Sequence, residues 1–181
     1  MCLCLRQSPA STRILRLGER KSSVIGFCQA LIWSSRSAGA IEHLRDTSFL
    51  VSLYISDRHS SEAQRLIALQ PVLWLTPLHR AEWAHAVEQH VFRRQLLDSE
   101  ARRASADFEG DRAAGLWAEV DLPQRAFEVC SELGRRHGAR LGNRTLDSLH
   151  VACALELRAE RFWTFDQRQR KLAAAEGLKT V

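Results

Sequence analysis

The chain has 181 residues, 45% of them hydrophobic and 26% charged, so it can form one well-packed domain with a tail but not two full domains. Its sequence contains no uninterrupted apolar run near the roughly 18 residues that span a bilayer, which argues against a membrane protein. Six of the 26 basic residues but only one of the 21 acidic residues lie in residues 1–40, which accounts for the net charge of +5. The rest of the chain is neutral, so bulk charge predicts no phosphate-binding surface there.

Residues 1–40 differ from the rest of the chain, since they are basic and Ser-rich and lack an amphipathic period. The apolar run 24–33, with charges before it and small residues after it, resembles a secretory signal. However, the charged lead is long and Gln29 interrupts the apolar core. An organellar transit peptide is a further alternative. We predict that this leader is disordered or lies upstream of the true start, and that the folded domain covers residues 41–181.

The cysteines favour a reducing environment. Their number is odd and no Cys-x-x-Cys occurs, so neither a disulfide framework nor a zinc site is predicted. Cys153 lies in an apolar helical run and is expected to be a small core residue. The five cysteines are Cys2, Cys4, Cys28, Cys130 and Cys153. We expect a cytoplasmic protein.

Strands alternate with helices from residue 41 onwards. The first strand ends on Asp46 and turns at once into an apolar helix, because Asp, Thr and Ser are good helix starters. The predicted strands cover residues 41–45, 72–75, 116–120, 162–165 and 178–181. Further helices are predicted over residues 60–69, 77–91, 93–108, 123–136, 144–157 and 167–176. This alternation predicts an α/β fold with a central parallel sheet and helices on both faces.

Proline and glycine mark several helix boundaries. Pro77 occupies a first helical position, where its missing N–H costs nothing. Gly110 is predicted to lie past the end of the charged helix, and Gly138 to close the next helix at a C-cap position. Gly177 is predicted to end the last helix.

Four acids share one type of position. Asp46 and Asp166 follow strands, Glu82 lies one turn into the helix after a strand, and Asp147 begins an apolar helix. In a parallel sheet these side chains would gather above the carboxyl ends of the strands, where ligands bind. Clustered carboxylates repel one another and either take up protons or need a cation. Oxygen ligands with open positions suit Mg²⁺ or Mn²⁺, which then bind a phosphate and a water.

With these acids in place, the sequence resembles the PIN-domain ribonucleases, and particularly the VapC-type toxins of bacterial toxin–antitoxin pairs. The resemblance covers about residues 41–181, and it depends on the order and spacing of several motifs, none of which is specific alone. These motifs are Asp46-Thr47-Ser48, Glu82, Leu146-Asp147-Ser148-Leu149-His150-Val151-Ala152, Phe162-x-Thr164-x-Asp166 and Ala174-x-x-Gly177-Leu178.

The resemblance implies a PIN-like three-layer fold and a Mg²⁺-dependent endoribonuclease, with Mn²⁺ as a possible substitute. By this resemblance the catalytic metal-site acids are Asp46, Glu82, Asp147 and Asp166. Hydroxyls of Thr47 or Ser48, and of Thr164, would orient a water or a carboxylate. The resemblance also implies an RNA substrate, a cognate antitoxin, a homodimer and no membrane.

Other polar residues near these acids were weighed for a role. Arg144, one turn ahead of Asp147, could reach a phosphate, and a solvated helix-start arginine is an equal alternative. His150 shares a helical face with Asp147 and is expected to be a core or supporting residue. His79 and His85 are six residues apart and cannot share a helical face, so no zinc pair is predicted.

One residue departs from the family pattern, and three other classes of protein compete. Arg45 stands where the family usually has an apolar residue, so the first strand is poorly apolar.

A receiver domain would need paired acids and a strand-end lysine, whereas Lys171 lies in a helix. A dehalogenase-type phosphatase would need Asp-x-Asp, which Asp46-Thr47-Ser48 lacks. A degenerate PIN fold acting as a binding module is the third alternative, and the presence of all four acids argues against it.

Overall fold

The computed structural model describes residues 43–69 and 73–180, so the predicted leader 1–40 lies outside the described residues. The strands are β1 (His43–Arg45), β2 (Leu73–Leu75), β3 (Trp117–Glu119), β4 (Arg161–Trp163) and β5 (Lys179–Thr180). The helices are α1 (Thr47–Tyr54), α2 (Ser60–Leu69), α3 (Pro77–Phe92), α4 (Asp98–Ala113), α5 (Ala126–Leu141), α6 (Thr145–Glu156) and α7 (Gln167–Ala175). Among these helices none is long and apolar enough to cross a membrane.

All strand pairs are parallel, as predicted. β4 lies between β1 and β5, with Leu44 opposite Phe162 and Phe162 opposite Thr180. β2 pairs separately with β3, so the backbone hydrogen bonds of the described strands form a three-stranded and a two-stranded sheet. β1 lies against β2 without a ladder of its own. The carboxyl ends of the strands therefore point in one direction within each sheet.

Helices cover both faces of the three-stranded sheet, which confirms the predicted layering. Neighbouring residues of a strand point to opposite faces, and Phe162 and Trp163 show this. Phe162 packs with Leu44 against the buried residues of α5, α6 and α7. Trp163 packs instead with residues of α1 and α2, such as Phe49. A further core forms between α1, α3, α4 and the β2–β3 pair.

Four predicted helix boundaries were wrong. The charged helix begins at Asp98 rather than at residue 93, because Arg94 has a φ of 57°, which is not helical. The new start is capped by Glu100, whose side chain accepts a hydrogen bond from Leu97 N–H. Gly110 lies inside that helix. The next helix begins at residue 126 rather than 123, passes through Gly138 and ends at Leu141. Its C-cap is Gly142, whose left-handed φ of 64° favours glycine. Pro77 and Gly177 lie at their predicted helix ends.

Strand β1 forms despite its basic residues. The Arg45 side chain is buried with its guanidinium carbon 4.5 Å from the Trp163 ring centroid, and the His43 ring meets the same tryptophan edge-on at 4.8 Å. Burial lowers the pKa of Arg45 to about 9, so it keeps its charge at neutral pH. Burial and the nearby arginine charges lower the pKa of His43 to about 4, so its ring is neutral. Packing on an aromatic ring replaces the apolar side chain expected at this position.

Candidate functional site

Asp46 is the most constrained acid of the predicted site. It follows β1, caps α1 and is only 2% exposed. Its Oδ1 accepts hydrogen bonds from Ser48 Oγ (2.8 Å) and from Phe49 N–H (3.1 Å), and its Oδ2 accepts one from Thr164 Oγ1 (2.9 Å). Burial raises the pKa of Asp46, although His150 and these hydrogen bonds oppose the rise. The carboxylate is therefore fixed in direction before any ligand binds.

Thr164 connects Asp46 to Asp166. The Thr164 hydroxyl donates to Asp46 and accepts a hydrogen bond from Asp166 N–H at 2.9 Å. Asp166 caps α7 as predicted, and its Oδ1 accepts from the N–H groups of Arg168 (2.7 Å) and Gln169 (3.1 Å). A buried threonine thus sets the spacing between two acids that follow neighbouring strands.

Glu82 lies in α3 and contacts α1 and α6. Its Oε2 accepts hydrogen bonds from Thr47 Oγ1 (2.5 Å) and from His150 Nε2. Burial would raise the pKa of Glu82, but the hydrogen bond and electrostatic interaction with His150, together with the bond from Thr47, hold that pKa below its ordinary value. The buried His150 therefore has a supporting role in contact with an acid, which is one of the two roles expected for it.

His79, one turn before Glu82, ties α3 to β1. The carbonyl oxygen of Arg45 can only accept, so the proton of the imidazole lies on Nε2 and points to that oxygen. Its Nδ1 accepts from Thr76 N–H at 3.1 Å. Burial, with a contribution from His150, lowers the pKa of His79 to about 3, so the ring is neutral. The helix that bears Glu82 is thereby fixed to the backbone immediately before Asp46.

Asp147 lies at the more open side of the site. Its Oδ2 accepts from Arg144 N–H at 3.0 Å, which caps α6, and the Arg144 side chain is exposed. Its Oδ1 is 3.4 Å from Gln169 Nε2. Gln169 was not singled out from the sequence, yet it contacts both Asp147 and Asp166. The available signal was a polar residue on the inward face of a short helix, three positions after a capping aspartate.

Hydrogen bonds through Thr164 and Gln169 thus connect Asp46, Asp166 and Asp147, whereas Glu82 is bonded to Thr47, the residue that follows Asp46. Within residues 43–69 and 73–180, however, no three His, Cys, Asp or Glu side chains are placed so that they could hold a metal ion. Each of the four carboxylates accepts N–H or O–H groups of the chain. The donors are oxygens, the ligand type that Mg²⁺ and Mn²⁺ prefer, so the donor chemistry fits such an ion. The metal site stays a prediction.

The family model of the PIN domain matches residues 44–175, which include all four acids. The chain belongs to the PIN-domain family. No curated protein matches its sequence. Among solved structures, it is similar to the crystal structure of VapC20 from Mycobacterium tuberculosis, a toxin that cleaves the sarcin–ricin loop. The two share 22% sequence identity with a TM-score of 0.55, over 75% of this chain and 95% of VapC20. The predicted PIN fold is therefore confirmed.

Proposed function

We propose that this PIN-domain protein is a metal-dependent endoribonuclease that hydrolyses RNA phosphodiester bonds and acts as the toxin of a toxin–antitoxin pair. The observation that carries the proposal is the buried Asp46 carboxylate, which three hydrogen bonds hold at the end of β1 and which Thr164 links to Asp166. A buried acid with this many donors is positioned for a ligand at a shared sheet edge. VapC20, whose fold is similar, cleaves the sarcin–ricin loop, and this supports the same class of reaction.

In this proposal Asp46 and Asp147 are the main ligands of a Mg²⁺ ion, for which Mn²⁺ can substitute. Glu82 and Asp166 complete the shell, directly or through water. A bound cation would hold the scissile phosphate and lower the pKa of an attacking water. The residues of the chain hold this arrangement in place: Thr47 and His150 fix Glu82, and Thr164 fixes Asp46.

Substrate contacts in this proposal lie on the exposed side of the site. Arg144 is exposed at the start of α6, and its backbone N–H holds Asp147. In this proposal its guanidinium binds a phosphate oxygen of RNA next to that acid. Water would then attack the phosphorus in line with the leaving oxygen, while the arginine neutralises charge on the phosphate.

One observation favours a second candidate, a PIN domain that binds RNA or protein without cleaving it. The described acids are not arranged as a ready metal site, since no three of them could hold an ion together. A non-catalytic module would bind RNA and show no metal-dependent cleavage. The presence of all four acids favours the enzyme.

The deciding experiment uses purified protein free of any antitoxin and a broad panel of single-stranded RNAs. We expect millimolar Mn²⁺ or Mg²⁺ to raise the melting temperature and to start cleavage, because a ligand that binds only the folded state stabilises it. EDTA should abolish both effects, and Asp147→Ala should weaken them. Glu132→Gln, which changes an exposed carboxylate of α5, is the matched control. Metal stabilisation without any cleavage across the panel would contradict the nuclease and support the binding module.

We further propose a cognate antitoxin that inhibits the protein, a homodimer, and a cytoplasmic location. A small DNA-binding protein encoded next to this gene, whose co-expression suppresses RNA cleavage, would support the first of these. Light scattering of the purified protein would test the dimer, and fractionation of cells would test the location.

A further inference from the structure

Three rings form a continuous stack beside the site acids. The His59 imidazole lies on the Phe165 ring with centroids 4.4 Å apart and planes only 8° from parallel. Phe165 lies in turn on Phe49, at 5.7 Å and 16°. Phe49 is fully buried, whereas Phe165 and His59 are partly exposed. The stack therefore runs from the core to the surface and ends in an imidazole.

The stack is attached directly to the residues of the proposed active site. Phe165 lies between Thr164 and Asp166 in sequence, and its N–H donates to Ser48 Oγ at 3.1 Å. Phe49 N–H donates to Asp46. The backbone of Phe165 and Phe49 therefore links the inner part of the stack to Asp166 and Asp46.

His59 is held in place by its own loop. Its N–H donates to Asp57 Oδ1 at 2.8 Å, and Asp57 is fixed by a hydrogen bond of 2.7 Å from Ser52 Oγ. The exposed Arg58 donates from Nε to His59 Nε2 at 2.9 Å. The outer end of the stack therefore combines a preset aromatic plane with a neighbouring cation.

We propose that this stack, formed by His59, Phe165 and Phe49, is a base-binding subsite in which an unpaired RNA base stacks on His59 while Arg58 faces the adjoining phosphate. The inference rests on the proposed ribonuclease function and deepens it by naming the substrate as single-stranded RNA. Unstacked bases bind to aromatic and histidine side chains in this way, and every base offers a π-face. A base held in a duplex cannot reach the subsite. The stacked base fixes which phosphate lies at the acids.

The test combines enzyme variants with modified substrates. Single-stranded RNA of one sequence is prepared with an abasic nucleotide at each position in turn. For each substrate, kcat and KM are measured for the native protein, His59→Ala and His59→Phe. His85→Ala, which changes an exposed histidine of α3, is the control. We expect one abasic position to raise KM of the native protein on the order of 10-fold, the usual effect of one lost base–aromatic stack. His59→Ala should raise KM by a similar factor. In that variant, the abasic nucleotide at the same position should cause no further rise in KM. His59→Phe should restore most of the affinity.

Four results would overturn the inference. If His59→Ala and the abasic nucleotide act independently, the base does not stack on His59, and the imidazole only covers Phe165. A fall in melting temperature of His59→Ala with unchanged KM would lead to the same conclusion. If the native protein neither cleaves nor binds any RNA, the proposed function is wrong, and the subsite proposal that depends on it is wrong as well. If the native protein cleaves RNA but no abasic position changes its KM, the ribonuclease function is supported and only the subsite is rejected.

Discussion

The two sides of the candidate site are held in different ways. On the buried side, Asp46 accepts from Thr164 and Glu82 accepts from Thr47 and His150, so groups from several elements of the chain meet there. On the open side, Asp147 and Asp166 accept mainly from backbone N–H groups at the starts of their own helices. Tertiary contacts therefore fix Glu82 and add to the local helix cap of Asp46, whereas local chain geometry mainly fixes Asp147 and Asp166.

This difference predicts which acids tolerate change. Asp46 is buried and Glu82 partly buried, and a carboxylate removed from water without donors is costly, so the surroundings of both must remain intact. A helix-capping carboxylate keeps its position as long as its helix forms, and the positive end of the helix favours its charge. Changes on the buried side should consequently affect both folding and function, while those on the open side should affect mainly function.

The largest effect is expected from Asp46→Asn. The amide is nearly isosteric, and the Thr164 hydroxyl can turn to accept from it, so the fold should persist. One negative charge is lost from the proposed metal site, and RNA cleavage should fall on the order of 100- to 1000-fold, the range for loss of one preorganised electrostatic group. Cleavage assays with circular dichroism and the control Glu132→Gln check this. Full activity in a folded variant would remove Asp46 from the mechanism.

Acid should destabilise the fold through His79. Its pKa is about 3 when folded and 6.5 ordinarily, so only the unfolded chain takes up a proton in that interval. The stabilisation is complete above pH 6.5 and declines as the pH falls, by about 3 kcal/mol at pH 4. His79→Gln can keep a donor toward the Arg45 carbonyl without titrating, so its free energy of unfolding should depend less steeply on pH. Urea titrations from pH 7 to 4 measure this slope.

The exposed histidine of α3 provides the control for that experiment. His85→Gln removes an imidazole from the same helix without touching the contact to β1, so its pH slope should match that of the native protein. Equal slopes for His79→Gln and the native protein would show that His79 is not the group whose protonation is suppressed in the folded state.

Local sequence patterns predicted one part of this molecule and missed another. Asp46 and Asp166 were recognisable as strand-end caps, because capping depends on residues within three positions. The contact of His79 with the Arg45 carbonyl spans 34 residues, and that of Gln169 with Asp147 spans 22, so neither leaves a local pattern. The same holds for Gly138 and Gly142, since the chain beyond the helix decides which glycine takes the positive φ.

Removing the Thr164 hydroxyl should have the next largest effect. Thr164→Val keeps the shape of the side chain but leaves Asp46 Oδ2 and Asp166 N–H without their shared partner. The free energy of unfolding should fall by about 2 kcal/mol, the cost of unpaired buried polar groups, and cleavage should slow as well. Thr164→Ser restores the hydroxyl and should recover most of both losses. A stable and fully active Thr164→Val protein would show that the two acids are positioned independently.

The smallest effect on stability, with a clear effect on function, is expected at Gln169. Its Nε2 contacts Asp147 across 3.4 Å, whereas its Oε1 is buried without a hydrogen-bond partner in the described part of the chain. Gln169→Leu fills nearly the same volume and removes that unsatisfied oxygen, while the backbone N–H still binds Asp166. The free energy of unfolding without metal should therefore change by less than about 0.5 kcal/mol. Asp147 loses its link to Asp166, so the Mn²⁺-induced rise in melting temperature should shrink and cleavage should slow several-fold. Gln124→Leu, an exposed glutamine before α5, controls for added hydrophobicity. A Gln169→Leu protein with an unchanged Mn²⁺ response would show that helix capping alone positions both acids on the open side.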